Sequence, residues 1–253
     1  MTSEFLHGLF SLTGRRAVVT GGSSGIGREM AAALAHAGAG VTVVARREGP
    51  LREAATALRG DWIRADLADR VQVHALADEV VDRHGVPDIL VNAAAVNPRP
   101  PMGELTEDDW DRTMRANLDA PFLLGQRFAP GMADRGWGRI INVASQQAVR
   151  AFGNSGAYGA SKAGITGLTR SQAEAWSARG VRVNAVAPGF VQTPLTEAVF
   201  DNPAKIAALA GRTMVGRNGL ATDFHGITVF LASAAAEYVT GQTIFVDGGF
   251  SVS

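Results

Sequence analysis

The sequence predicts a single doubly wound α/β domain, in which helices cover both faces of a seven-stranded parallel sheet. Short β-branched runs alternate regularly with longer amphipathic stretches, which is typical of β–α–β crossovers. Several of the short runs are apolar throughout, as expected for strands covered on both faces. The 253 residues fit one such domain, and we find no linker or repeat within them.

The predicted strands are short runs rich in valine, isoleucine and alanine, at 17–20, 41–45, 62–65, 89–92, 139–143, 182–186 and 243–246. The predicted helices lie between them, at 25–37, 50–58, 70–84, 107–134, 157–178 and 222–234. We expect the remaining long segment, at about 195–216, to be a mobile substrate lid. Ligands of such open sheets lie at the carboxyl ends of the strands, so functional motifs should follow strands.

Composition excludes several classes of protein. Basic and acidic residues balance at 24 each, unlike the basic surface of a nucleic-acid-binding protein. The absence of cysteine excludes disulfides and thiolate metal sites. The five histidines show no metal-ligand spacing, so we expect no metal. The first residues lack the pattern of a signal peptide, and no apolar run reaches the ~18 residues of a membrane span. We therefore expect a cytoplasmic protein without membrane or nucleic-acid partners.

A glycine-rich turn follows the first predicted strand and opens a helix. Glycines permit a tight turn and a close approach of the backbone to a pyrophosphate, while the helix N-terminus offers N–H groups to phosphates. Glycines alone are weak evidence, because any sharp strand–helix turn favours glycine. The prediction of dinucleotide binding therefore rests on the position of this turn at the start of a β–α–β unit. The predicted contacts here are Gly21, Ser23, Ser24, Gly25, Ile26 and Gly27.

The same turn also fits G-x-S-x-G, the nucleophile elbow of α/β-hydrolases, with Ser23 as the nucleophile. That alternative needs a histidine in a suitable loop. His74 and His84 lie within a predicted helix and His225 begins another, and the sequence has no H-G-G-G segment. These features disfavour a hydrolase.

The end of the second predicted strand indicates the cofactor. An NAD site usually has an acidic residue here for the ribose 2′-hydroxyl, whereas this sequence has Arg46 and Arg47. A guanidinium suits a 2′-phosphate, so we expect NADP(H) in preference to NAD(H), with Arg46 as the main ligand. The alternative is a solvated basic helix start. Asp66 and Leu67 follow the third strand, where Asp66 either accepts from the adenine amino group or caps the next helix.

Tyr158 and Lys162 are spaced to lie on one face of a helix. A nearby ammonium lowers the pKa of a tyrosine from its usual value of about 10, which makes the phenol a usable acid–base group. Tyrosine–lysine pairs on a helix face commonly serve only in packing. Here, however, Ser145 follows the fifth strand and can polarise a carbonyl oxygen beside the tyrosine. Together they predict hydride transfer between a nicotinamide and a carbonyl or alcohol carbon of a small molecule.

These residues resemble the short-chain dehydrogenase/reductase family, whose domain is a Rossmann fold. The resemblance extends over residues 12–249. The family motifs match the glycine loop at 20–27, the D-x-L-V-N-N-A-G block at 88–95, Asn117, Ser145, Tyr158 with Lys162, the P-G-x-x-x-T loop at 188–193, and V-D-G-G at 246–249.

The resemblance implies roles for individual residues. Tyr158 would be the acid–base, Lys162 would orient the ribose and lower the tyrosine pKa, Ser145 would steady the substrate oxygen, and Asn117 would hold a water that links Lys162 to solvent. Further cofactor contacts would come from Asn92, Pro188, Gly189, Val191 and Thr193. It also implies a homotetramer or homodimer, with one interface on the helices at 107–134 and 157–178 and another on the last strand.

The N-N-A-G block departs from the family, because Ala93 and Ala95 replace its second asparagine and its glycine. Ala95 adds a methyl group near the expected nicotinamide riboside, and we expect local adjustment without loss of binding.

Candidate substrate contacts are Asn97, Gln147, Phe152 and Phe190, and the polar ones suit a polyhydroxylated or acidic substrate, although loop residues are commonly polar. The sequence resembles sugar-acid and polyol dehydrogenases, and nearly as much 3-oxoacyl-[acyl-carrier-protein] reductases, which would bind their carrier near Arg99 and Arg150. A dinucleotide-sensing regulator of the same fold typically lacks the tyrosine or lysine, so the complete set argues against that third alternative.

Overall fold

Seven parallel strands form the sheet of this structure, a computed structural model that describes residues 2–252, and the side chains from residue 4 onward except those of 198 and 199. The strands are β1 (Arg16–Thr20), β2 (Gly40–Ala45), β3 (Asp61–Arg64), β4 (Ile89–Asn92), β5 (Gly138–Val143), β6 (Val181–Pro188) and β7 (Thr243–Val246). Their order is β3-β2-β1-β4-β5-β6-β7. The predicted doubly wound fold is confirmed.

The order of the strands reverses between β1 and β4, and this point positions the ligand crevice. Thr20, the last residue of β1, lies level with Val44 of β2 and Asn92 of β4. The chain leaves β1 and β4 towards opposite faces of the sheet, which opens a crevice between the following loops.

Ten α-helices are described in residues 2–252: α1 (Thr2–Phe10), α2 (Gly25–His36), α3 (Glu48–Leu58), α4 (Arg70–His84), α5 (Glu107–Met114), α6 (Ala120–Asp134), α7 (Gly156–Trp176), α8 (Glu197–Phe200), α9 (Pro203–Gly211) and α10 (His225–Ala232). Alternate strand residues face opposite layers. Val19 and Val43 join the core beneath α2, α3 and α10, whereas Val18 and Ile140 join the core beneath α4 and α6. Burial on both faces explains why the strand runs are apolar throughout.

The prediction of a continuous helix over 107–134 is wrong in one respect. A π-helical turn, Arg115–Asp119, separates α5 from α6. The Asn117 side chain accepts from the Val96 N–H at 2.8 Å and donates to the Val96 carbonyl at 3.0 Å. The wide turn thus places this asparagine against the loop after β4, and such turns often mark functional sites.

Two further segments differ from the sequence-based expectation. Helix α1 was not predicted, and its Phe5, Leu6 and Phe10 are exposed. The predicted lid at 195–216 contains the helices α8 and α9, and its mobility stays a prediction. Within the described part of the chain, none of the helices has the length and apolarity that crossing a membrane requires.

Candidate active site

A cleft of about 510 Å³ lies at the carboxyl edge of the sheet. The glycine-rich turn after β1 and the end of β2 line one half of it. The loops after β4, β5 and β6 line the other half, together with the first turns of α7. The cleft therefore lies at the carboxyl ends of the strands, where ligands were predicted, and at the switch point of the sheet.

The turn after β1 fits a dinucleotide pyrophosphate on two structural grounds. The first ground is that two positions of the turn have room only for glycine. Gly21 has φ +70°, and a Cβ on Gly21 would lie 2.8 Å from the Cα of Ala94. A Cβ on Gly27 would lie 2.5 Å from the Gly21 carbonyl oxygen. Helix α2 begins at Gly25 without a side-chain cap from Ser24. Its first N–H groups are consequently available to an anion at the positive end of the helix dipole.

Arginines and a carboxylate meet at the β2 end of the cleft. The Arg46 guanidinium lies 3.8 Å from the Asp66 carboxylate, and the Arg64 Nε donates to the Arg46 backbone carbonyl at 3.1 Å. The sequence analysis did not include Arg64, although its position one residue before the end of the third predicted strand was a usable signal. Of the two alternatives for Asp66, the cap is excluded, because Asp69 caps α4 through the N–H groups of residues 71 and 72.

Tyr158 and Ser145 both line the cleft, next to the first turn of α7. Tyr158 lies in the first turn of α7, and Ser145 follows β5. Burial raises the pKa of the Tyr158 phenol above its ordinary value of 10.0, while a hydrogen bond from the Ser145 hydroxyl and the positive charge of Arg99 oppose this rise. Both residues line the cleft, which places their hydroxyl groups where both could contact one substrate oxygen.

Lys162 lies one turn further along α7 and is almost completely buried. Its Nζ donates to the Val143 carbonyl at 2.6 Å and lies 5.7 Å from the centroid of the Tyr158 ring. Burial lowers the pKa of Lys162 from 10.5 to about 8. The expected net lowering of the Tyr158 pKa by Lys162 is not found in the protein alone, because loss of hydration of the phenolate outweighs the favourable interactions.

Asn117 connects the loop after β4 to α7. Besides its two bonds to Val96, its Nδ2 donates to the Ser161 hydroxyl at 3.1 Å, and Ser161 donates to the Tyr158 carbonyl at 2.8 Å. The Asn117 side chain thus positions the backbone around Tyr158 from behind the cleft. The water that Asn117 would hold stays a prediction.

Most of the predicted site residues line the cleft. They are Gly21, Ser23, Ser24, Gly25, Ile26, Gly27, Arg46, Arg47, Asp66, Leu67, Asn97, Ser145, Gln147, Tyr158, Lys162, Pro188, Gly189, Phe190, Val191 and Thr193. Asn92, Asn117 and Phe152 lie behind its lining. Asn92 is buried in the sheet, where its Nδ2 donates to Asn142 Oδ1 at 2.8 Å, and Phe152 packs behind Phe190 with 5.1 Å between ring centroids.

The substrate end of the cleft has polar atoms that lack a partner. Among the described residues, the side-chain oxygens of Asn97, Gln146 and Gln147 are buried without a hydrogen bond. Arg99 adds a positive charge; its φ is +60°, and its guanidinium donates to the Gly153 carbonyl at 3.3 Å. Ala95 also lines the cleft, as expected. Buried unpaired acceptors beside a cation fit a ligand rich in hydroxyl groups.

A phosphate-binding turn and a serine–tyrosine–lysine group on one sheet edge define a dinucleotide-dependent oxidoreductase. A family model described as enoyl-(acyl carrier protein) reductase matches residues 21–251. The chain belongs to the short-chain dehydrogenase/reductase family and is an NAD(P)-dependent oxidoreductase that acts on CH–OH groups.

Whole-chain relatives come from two branches of this family. The gluconate 5-dehydrogenase of Gluconobacter oxydans is 38% identical over 97% of this chain and 98% of its own length. The 3-oxoacyl-[acyl-carrier-protein] reductase of Thermotoga maritima is 37% identical over 95% of this chain and 99% of its own length. The structure of a gluconate 5-dehydrogenase from Burkholderia cenocepacia, in complex with NADP and tartrate, has a TM-score of 0.93, with 39% identity and coverage of 98% and 99% of the two chains.

Proposed function

We propose that the protein is an NADP(H)-dependent dehydrogenase that interconverts a secondary alcohol and a ketone on a small sugar acid or polyol. The observation that carries the reaction type is that Ser145, Tyr158 and Lys162 line the same cleft, with Lys162 buried one helical turn beyond Tyr158 on α7. A bound nicotinamide dinucleotide supplies the ring carbon that gives or accepts the hydride.

In the reductive direction, the Tyr158 phenol donates its proton to the carbonyl oxygen while the Ser145 hydroxyl holds that oxygen. In the oxidative direction, the Tyr158 oxygen accepts the alcohol proton. Lys162 keeps the Tyr158 side of the cleft positively charged and offers two further N–H donors for ribose hydroxyls besides its bond to Val143. Gly21, Ser24 and Gly25 would hold the pyrophosphate at the start of α2.

The residues at the end of β2 support NADP(H) in preference to NAD(H). Arg46 and Arg47 line the cleft at the end of β2, and Arg64 lies against the Arg46 backbone. No acidic residue occupies positions 43–47. The weak 3.8 Å pairing of Arg46 with Asp66 leaves the guanidinium able to turn towards a 2′-phosphate. The NADP complex of the Burkholderia relative supports the same preference.

The substrate class follows from the polar end of the cleft. The guanidinium of Arg99 suits a carboxylate, and the unpaired oxygens of Asn97, Gln146 and Gln147 suit hydroxyl donors. The names of the gluconate dehydrogenases among the relatives support a sugar acid. The second candidate is a 3-oxoacyl-thioester, which the similar identity to the Thermotoga reductase supports.

A substrate panel tests the proposal. We expect NADP⁺ reduction with gluconate-like acids or polyols and much slower NADPH oxidation with 3-oxoacyl thioesters, both followed by nicotinamide absorbance. Faster turnover of the thioesters would assign the protein to the second candidate. A lack of activity on every alcohol and ketone in both directions would overturn the proposed reaction.

We also propose a homotetramer or homodimer. Trp110 of α5 and Phe122 of α6 are 39% and 42% exposed, and β7 is an edge strand with all four residues half-buried. Covering these surfaces in an assembly would remove apolar area from water. Analytical ultracentrifugation at micromolar concentration should show a dimer or tetramer, and a monomer would overturn this proposal.

A further inference from the structure

Three phenylalanines meet at the substrate end of the cleft, and each comes from a different part of the chain. Phe190, in the loop after β6, lines the cleft. Phe152, from the loop before α7, contacts it edge-on with 81° between ring planes. Phe250, after β7, lies 5.5 Å from Phe190 and 6.1 Å from Phe152, measured between ring centroids. The cleft wall at Phe190 is therefore backed by two further rings.

Phe250 is the innermost ring of this aromatic cluster and is fully buried. The turn that carries it is fixed by the Asp247 carboxylate, which accepts from the N–H groups of Gly249 at 3.0 Å and Ser251 at 2.8 Å. Arg150 donates to the Ser251 carbonyl at 2.5 Å. These three hydrogen bonds fix the turn that carries Phe250, and the rings of Phe152 and Phe190 contact its side chain, which makes the backing of Phe190 rigid.

The opposite side of Phe250 faces the lid segment. The Arg212 guanidinium lies 4.2 Å from the centroid of the Phe250 ring, and the Val215 N–H donates to the Gly248 carbonyl at 3.2 Å. The Phe250 ring consequently lies between the end of α9 and the wall of the cleft. The rings of Phe152 and Phe250 thus occupy the space beside Phe190 into which its side chain would have to turn to admit a longer substrate.

We propose that Phe250 is a positioning residue for substrate selectivity, which holds Phe190 across the end of the cleft and thereby excludes substrates with an extended alkyl chain. This inference rests on the proposed function and deepens it, because a closed end suits a compact polyhydroxylated acid and opposes a long acyl group. Phe250 acts through Phe190, since Phe190 and not Phe250 lines the cleft.

The test uses the whole enzyme and methyl ketones of increasing chain length, from butanone to 2-octanone, with NADPH oxidation as the readout. The measured quantity is the ratio of kcat/KM for the longest ketone to that for the shortest. Phe250→Ala and the milder Phe250→Leu should each raise this ratio, by about 10-fold for alanine, since one methylene in an apolar pocket already changes selectivity by that order. Phe190→Ala should raise it similarly.

A double variant and a matched control separate selectivity from stability. The double variant Phe190→Ala with Phe250→Ala should have nearly the same kcat/KM ratio as Phe190→Ala alone, because Phe250 can act only through the Phe190 ring. Phe224→Ala removes an equally buried phenylalanine from the core beneath α2, and it should lower thermal stability with an unchanged ratio. An unchanged ratio in both Phe250 variants, or an equal rise in the Phe224 variant, would overturn the role of Phe250.

The ketone series also keeps this inference separate from the substrate proposal. If sugar acids and polyols are not turned over but the ratio rises in the Phe250 variants, the substrate class is wrong and the positioning role stands. If sugar acids are turned over and the ratio does not move, the substrate class stands and the positioning role is wrong.

Discussion

The Lys162 ammonium donates to the backbone carbonyl of Val143 at 2.6 Å. Val143 ends β5, and Ser145 follows it two residues later. The bond therefore ties the lysine of α7 to the strand that carries the serine. Tyr158 lies on the same helix as Lys162. The relative position of the three side chains therefore depends on how α7 packs against β5 and β6.

Burial of Lys162 predicts how stability changes with pH. The pKa of Lys162 is about 8 in the folded protein and 10.5 when exposed, so the unfolded chain binds more protons between these values and stability rises with pH. Relative to Lys162→Met, the free energy of unfolding of the wild type should increase by about 1.5 kcal/mol between about pH 8 and 9.5. Urea denaturation at several pH values measures this difference. The control is Lys205→Met at the exposed lysine of α9, whose free energy of unfolding should change with pH as that of the wild type does. If the difference in unfolding free energy between the wild type and Lys162→Met does not change with pH, the prediction is contradicted.

Removal of the Tyr158 hydroxyl should abolish turnover and spare cofactor binding. Tyr158→Phe should lower kcat by at least about 100-fold, the usual contribution of a positioned acid–base group. Binding of NADPH, measured by its fluorescence, should stay nearly unchanged. The control is Tyr238→Phe, since Tyr238 is fully exposed and far from the cleft lining. Turnover retained by the Tyr158 variant would refute its assignment.

Arg46 should determine the preference between the two nicotinamide cofactors. Arg46→Asp should lower the NADP/NAD ratio of kcat/KM by about 10- to 100-fold, since a hydrogen bond to a charged group contributes about 1.5–3 kcal/mol. The matched control is Arg52→Asp, which changes an exposed arginine of α3 outside the cleft. If the ratio stays the same after the Arg46 change, another group reads the phosphate, and Arg64 is then the first residue to test.

Arg99 should influence both the pH profile and the affinity for acidic substrates. Its charge lowers the pKa of Tyr158, and alcohol oxidation needs the ionised phenol, so activity rises as pH passes through this pKa. Arg99→Met should move that rise to higher pH and should raise KM for a sugar acid more than for a neutral polyol. Arg170→Met, on the exposed side of α7, serves as the control. An unshifted profile would show that Arg99 does not act on Tyr158.

The fold and most of the cleft could be predicted from the sequence, because each depends on local pattern. The apolar strands alternate with helices, and the motifs follow the strands, so the topology alone brings residues such as Ser23 and Arg46 to one edge of the sheet. The N-cap of α4 shows the limit of local reasoning. The sequence offered Asp66 as a possible cap, whereas the helix begins at Arg70 and Asp69 caps it.

Contacts between distant segments could not be predicted. The π-helical turn at Asn117 is accompanied by hydrogen bonds to Val96, 21 residues away, and periodicity within the helix gives no sign of it. Phe250 acquires its place behind Phe190 only when the segment after β7 folds over the end of the cleft. In both cases the deciding partner is remote in sequence.

By itself, the sequence determined the order of the elements along the chain, the edge of the sheet that carries the motifs and the candidates for the reactive groups, because spacing along strands and helices is a local property of the chain. The tertiary structure decided the charge balance at Tyr158, where burial outweighs the Ser145 hydrogen bond and the positive charge of Arg99, and the packing of Phe152 and Phe250 against Phe190. Dehydration of a side chain and the packing of three rings depend on everything that surrounds them, and those surroundings exist only in the folded protein.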